Sequence, residues 1–249
     1  MKLNSFYQNL EKNAAVDEMP NQFSVTPQQG SRFAKEIAQD FNPLHDPESK
    51  RFCVPGDLLF CLVLSRLGLP QKMEVSYQGM VSGNKSLKIL NAAEAFAVED
   101  QEGKTYLSGV AEGETLQNHE VINGFCKAYV AFSGMSFPHL LVPLMQEKGV
   151  MINPQRPMVI YEKMGFEFER PIINLNQVPS LHFSEAEFDV QGKRGKIQIR
   201  FDIYIEDRVI GKGSKTMTLS GLKAFDEEAM DALVKDYEAS KTNYVTVSA

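Results

Sequence analysis

The amino-acid sequence predicts an α+β fold in which one plan, a buried helix followed by an antiparallel sheet, runs twice in tandem. Three observations carry this reading. Residues 58–64, Leu-Leu-Phe-Cys-Leu-Val-Leu, are apolar on every face of a helix, which marks a helix buried all round. The apolar period then changes to two, the signature of strands. The same order of helix, helix and strands recurs in the second half, although the two copies share little residue identity. A single irregular α+β domain is the plainer alternative.

The elements follow in order. Residues 31–41 place Phe33, Ala34, Ile37, Ala38 and Phe41 on one stripe of an amphipathic helix. Pro43 ends it, because the residue before a proline avoids helical backbone angles. Pro55-Gly56-Asp57 opens the buried helix, which reaches about residue 67 before Gly68 and Pro70. Strands are expected over 74–80, 86–93, 95–99 and 104–112, with residues 100–103 as a hairpin turn. The second half is expected to form helices over 124–133 and 137–149, the latter with Ser136 as N-cap. Strands follow over 158–169, 180–189, 196–206 and 209–219. Ile197, Ile199, Phe201, Ile203 and Ile205 alternate without a break, as in a half-buried antiparallel strand. A last helix over 226–240 starts at Asp226 with an acidic first turn, and residues 241–249 read as a loose tail. A long helix wrapped by an antiparallel sheet is the hot-dog arrangement. The expected fold is therefore a tandem (double) hot-dog, divided into residues 1–118 and 119–249.

Composition narrows the function. The 249 residues are 43% apolar and 23% charged, with a net charge of −6 and a pI near 5.4. Two cores of about 120 residues each fit that length. A surface of this sign repels phosphate backbones and anionic lipid, so neither nucleic acid nor membrane is expected as a partner. Cys53, Cys61 and Cys126 have no CxxC spacing and read as reduced packing residues. The four histidines lack metal-ligand spacing. Met1-Lys2-Leu3-Asn4-Ser5 lacks an apolar signal core, and the run 58–64 is too short to span a bilayer. A soluble cytoplasmic protein is expected.

The chemistry-bearing segment is Asp40-Phe41-Asn42-Pro43-Leu44-His45. It stands where an amphipathic helix ends, so its polar side chains can face a cleft. A carboxylate and an imidazole across a rigid Asn-Pro turn can converge on one water, a pair suited to acid–base work near neutral pH. Gly56 leads the buried helix, where unbonded N–H groups and the positive end of the dipole meet. Such donors polarise a carbonyl and stabilise an enolate-like charge. Ordinary turn chemistry also explains an Asp followed by Asn-Pro.

This segment resembles the Asp-x-Asn-Pro-x-His signature of the MaoC-like, (R)-specific enoyl-CoA hydratase family of hot-dog proteins. The likeness is firmest over residues 31–69 and weaker to residue 114. It implies that Asp40 and His45 activate a water and supply a proton. It also implies that Asn42 braces the loop and that the Gly56 amide holds the thioester oxygen. Two departures mark a divergent member. The segment between His and Gly is shorter than in the family, and Pro55-Gly56-Asp57 replaces His-Gly-Met. Asp57 then reads either as a first-turn acid stabilising the helix or as a thioesterase-like carboxylate.

The second half has no such motif. His139 stands without a nearby carboxylate and reads as a surface or first-turn residue, and this half is expected to line the acyl pocket. Residues 192–195 and 211–213 read as hairpin turns, not phosphate loops. The resemblance implies hydration of a trans-2-enoyl thioester, carried on coenzyme A or an acyl carrier, with no metal or redox cofactor. The alternatives are an acyl-CoA thioesterase and a non-catalytic acyl-thioester-binding protein. Monomer and homodimer are both open.

Overall fold

The computed structural model describes residues 22–156 and 158–248, without the side chains of 133–136 and 245–248. The N-terminal segment read above for a signal core lies outside the described residues, as does the Ser136 side chain read as a cap.

The chain opens with strand β1 (Gln22–Ser24) and helix α1 (Pro27–Arg32), which runs on as a π-helical turn over Phe33–Ala38. Helix α1 starts before the expected residue 31 because Thr26 and Gln29 form a reciprocal capping box, with Pro27 just inside it. The stripe Phe33, Ala34, Ile37, Ala38 and Phe41 is buried as expected. Helix α2 (Gly56–Leu67) follows, and all its residues from Asp57 to Leu64 are buried.

Gly68, with φ of +89°, turns the chain directly into β2 (Leu69–Tyr77). This strand begins five residues before the expected 74, straight through Pro70. The proline is accommodated because the register shifts between Pro70 and Lys72, where a missing N–H costs no ladder bond. Strands β3 (Ser86–Ala92), β4 (Ala95–Asp100) and β5 (Thr105–Leu116) complete the first half. The turn after Asp100 is the expected hairpin, with Gly103 at φ of +81°.

In the second half the buried helix is α3 (His119–Ser136), longer than expected because Asn118 caps it, accepting from the Glu120 and Val121 amides. The helix expected over 137–149 is instead a π turn, Phe137–Leu141, and a short α4 (Val142–Glu147). Pro138 and Pro143 lack the N–H groups an unbroken ladder needs. Strand β6 (Val150–Met151) pairs with β11 (Lys223–Ala224) as a separate two-stranded sheet. The long strands are β7 (Val159–Phe168), β8 (Ser180–Gln191), β9 (Arg194–Ile205) and β10 (Arg208–Ser220). Gly211 and Gly213 lie inside β10, not in a turn. Strands β7 and β9 press on both sides there, and a side chain at Gly213 would run into the Phe201 ring. Helix α5 (Glu227–Ser248) is capped by Asp226, which accepts from the Ala229 amide at 2.9 Å, and it absorbs most of the tail expected to be loose.

The main strands form one nine-stranded antiparallel sheet in the order β1-β3-β4-β5-β2-β7-β10-β9-β8. The halves join where Glu74 of β2 faces Gly165 of β7. A Cβ at Gly165 would stand 2.8 Å from the Met73 carbonyl oxygen, so the close approach there requires glycine. Helices α2 and α3 pack on the same face. Phe60 of α2 stacks on Tyr129 of α3 with centroids 4.5 Å apart, and both Phe60 and Phe125 abut Phe166 of β7. The result is an α+β hot-dog arrangement: a buried helix cradled by an antiparallel sheet. No disulfide joins Cys53, Cys61 and Cys126, and the last two are buried. Among the described residues no single helix is long and apolar enough to cross a membrane.

Candidate active site

The π turn ends at Gln39, whose left-handed backbone (φ of +53°) swings the chain out of the helix and aims Asp40 away from the core. From there the sequence builds its own scaffold. Asp40 Oδ1 accepts from the Asn42 amide at 2.9 Å, and Asn42 Oδ1 accepts from the Leu44 amide at 3.1 Å. Two successive side chains thus each hold the N–H two residues on, as aspartate and asparagine do in turns. Pro43 then starts a single 3₁₀ turn, Pro43–His45. The residue types of the motif explain its shape.

One Asp40 oxygen is spent on the turn, and the other faces His45. Oδ2 lies 3.7 Å from His45 Nε2, with the two side chains 22% and 13% exposed. That gap is too long for a direct hydrogen bond and leaves a small oxygen species room to touch both groups. His45 Nδ1 lies 2.8 Å from the Cys53 carbonyl oxygen. A carbonyl only accepts, so Nδ1 carries a proton and Nε2 is the ring nitrogen turned toward Asp40. Burial pushes the Asp40 carboxyl above its ordinary range, against the opposing pull of His45 and the Asn42 amide. A carboxyl raised this way keeps its proton to a higher pH than an exposed one does.

Gly56 brings the third component. The first amide of α2 to bond backwards is that of Leu58, to the Pro55 carbonyl. The Gly56 and Asp57 amides have no acceptor among the described residues. Tyr77, at the end of β2, lies flat against this point and donates to the Gly56 carbonyl at 2.9 Å. A Cβ at Gly56 would meet the Tyr77 ring at 3.0 Å and the Tyr161 ring at 3.3 Å, so the close fit is made for glycine.

Asp40, His45, Asn42 and Gly56 all line one cavity of about 390 Å³. Much of its apolar lining comes from the second half: Leu141, Ile152, Val159, Met217 and Leu233. A few polar groups in a largely apolar pocket of this size is the usual design of a small-molecule site. His139 is exposed and does not line it. Among the described residues no group of three or more histidine, cysteine or acidic side chains is placed to hold a metal.

Asp57, read above as a first-turn acid or a thioesterase-like carboxylate, stands in the first turn of α2 with its Oδ1 3.4 Å from Lys215 Nζ and its Oδ2 accepting from the Tyr161 hydroxyl at 3.3 Å. Sequence reasoning missed two residues, Lys215 and Tyr237. Lys215 is fully buried on β10. Its signal was the phase of that strand, since it shares the inward alternation of Met217 and Leu219. Tyr237 of α5 accepts from the Phe41 amide at 3.3 Å and donates to the Gln39 carbonyl at 3.4 Å, bracketing Asp40 on both sides. No local pattern in the sequence points to a contact across nearly two hundred residues.

Fold and site together define a hot-dog protein with a carboxylate–imidazole pair set beside the amino end of its buried helix. The chain belongs to the DUF3581 family, described as a protein of unknown function, whose match covers residues 1–228. No curated protein matches it. Among solved structures, the chain is similar to a hot-dog protein of unknown function from Alicyclobacillus acidocaldarius, at 9% identity and a TM-score of 0.46, covering 88% of this chain and 99% of that one. A MaoC-like dehydratase is similar at 10% identity and a TM-score of 0.42, covering 81% and 96%. An acyl-ACP thioesterase from Bacteroides thetaiotaomicron is similar at 11% identity and a TM-score of 0.39, covering 79% and 96%. Likenesses this distant assign no chemistry.

Proposed function

We propose that the protein adds water to a trans-2-enoyl thioester, or removes it from the 3-hydroxyacyl product, with Asp40 and His45 as the acid–base pair. The observation that carries this reading is the 3.7 Å gap between Asp40 Oδ2 and His45 Nε2, both lining one largely apolar cavity with Gly56. A water in that gap gives a proton to the Nε2 lone pair as its oxygen bonds to C3. The electron pair of the double bond moves onto the thioester oxygen, where the Gly56 amide and the helix dipole stabilise the charge. As the enolate collapses, protonated Asp40 delivers its proton to C2. His45 then returns its proton to the Asp40 carboxylate, and both groups are reset. Every step is a proton transfer or a bond to water, so no cofactor enters.

We also infer that the chain is two hot-dog units, divided near residue 118. The strand order supports this: β3-β4-β5-β2 in the first half is matched by β8-β9-β10-β7 in the second, meeting at the β2–β7 pair. The first unit carries the polar site and the second supplies the acyl wall. Two units in one chain supply the contact a single unit would seek in a partner, which fits a monomer or a dimer of such chains. The net charge of −6 disfavours nucleic acid and anionic membrane as partners, and we place the enzyme in the cytoplasm, acting on acyl groups carried by coenzyme A or a carrier protein.

Hydrolysis by Asp57 is the weaker reading, because both its oxygens are engaged by Lys215 and Tyr161. A single assay on purified protein separates the alternatives. With crotonyl- and longer enoyl-CoA substrates, loss of enoyl absorbance without release of free thiol is the expected result. Thiol release would make the protein a thioesterase. Ligand-induced thermal stabilisation with neither reaction would make it a binding protein.

A further inference from the structure

Resting on the reading just given, we propose that Lys215 is a positioning residue of the site. Supplied by the second half, it offsets the Asp57 carboxylate so that the amino end of α2 still attracts a negatively charged thioester oxygen.

The problem it solves is one of charge. The amino end of a helix carries the equivalent of roughly half a positive charge. Asp57, one residue beyond Gly56 and 4% exposed, sets a full negative charge within the same turn. Alone, it would reverse the field that the Gly56 amide presents to the cavity. Lys215 Nζ stands 3.4 Å from Asp57 Oδ1 and returns the sum to the helix dipole's own sign.

The lysine is held for this purpose from several sides. It donates to the Tyr129 carbonyl at 2.8 Å and lies 4.4 Å above the Tyr129 ring and 5.6 Å from the Tyr161 ring. The titratable groups nearest the pair are Tyr161 of β7, Tyr129 of α3, Cys61 of α2, Tyr77 of β2 and Asp40. Burial lowers the lysine's pKa, and Asp57 opposes that. Stability alone is a poor reason for such a pair, since apolar side chains of similar volume serve a core as well or better. Its place beside the Gly56 amide gives the reason that stability does not.

Acetoacetyl-CoA tests this, because its enolate absorbs in the near ultraviolet and mimics the charged intermediate. Its bound enolate-to-keto ratio is read for wild type, Lys215→Met, Asp57→Asn and the double variant, alongside kcat, KM and thermal midpoint. Lys215→Met is expected to lower the enolate ratio about tenfold, equivalent to roughly one pKa unit, and to lower kcat with little change in KM. Asp57→Asn, which leaves the lysine unopposed, is expected to hold or raise the ratio. The double variant should return to within about threefold of wild type, as coupled charges do. A wild-type ratio in Lys215→Met would overturn the proposal. So would an equal fall in all three variants that tracks thermal stability, since the pair would then be structural. Wild type that binds no thioester overturns the hydration reading, and this proposal with it.

Discussion

Asp40→Asn is expected to lower kcat/KM for enoyl-thioester hydration by about 10²- to 10⁴-fold, the range of a single general acid–base group, while the protein stays folded. Asparagine keeps an oxygen for the Asn42 amide, so the turn that Asp40 Oδ1 holds at 2.9 Å survives. What it loses is the ionisable carboxyl that the proposed mechanism uses to deliver a proton to C2. His45→Ala should fall in the same range, with an added structural cost. The Cys53 carbonyl loses its donor, and an unpaired buried acceptor costs about 1–3 kcal/mol. Rates must therefore be corrected for the folded fraction. In the proposed mechanism the two groups act on one water, so the double variant should fall little further than either single one. Steady-state kinetics with circular dichroism on each variant checks this. Near-wild-type turnover in either single variant would remove the pair from the mechanism.

Phe60→Ala should give the largest loss of stability, about 3–5 kcal/mol, as for other fully buried phenylalanines. Phe60 is inaccessible to solvent and stacks on Tyr129 while meeting Phe166 edge-on. It therefore joins α2 to both the helix and the sheet of the second half, and its removal leaves a cavity where three elements converge. Urea unfolding should show a lower midpoint with an unchanged slope. Met80→Ala, at a position 37% exposed, is the control and should change stability by under about 0.5 kcal/mol. A loss below about 1 kcal/mol for Phe60→Ala would mean that the halves do not share this core.

Both residues were visible in the sequence for the same reason: local chemistry specifies them. The helix around Phe60 is apolar on every face, and no other element could bury it. The Asp40–His45 turn is written by side chains that bond the backbone two residues away. Strand β9 declares itself through five alternating apolar residues. What failed depended on distant partners. Strand β2 crosses Pro70 because a bulge against β5 excuses the missing N–H. Gly211 and Gly213 look like turn residues until the strands on either side are known. Helix α5 runs through the supposed tail, and Tyr237 on it reaches back to the Asp40 loop. Lys215 is the clearest case. A lysine at an inward position looks like an error of register until Asp57 appears opposite it.

Hydration in heavy water examines the convergence of Asp40 and His45 on one side of the substrate. Both groups meet across a single gap, so hydroxyl and proton reach the same face of the double bond. Proton magnetic resonance of the 3-hydroxyacyl product should therefore show one deuterium at C2, placed by syn addition. Anti addition, or deuterium scrambled between the two C2 positions, would mean that the proton comes from elsewhere and that the Asp40–His45 pair does not carry the reaction.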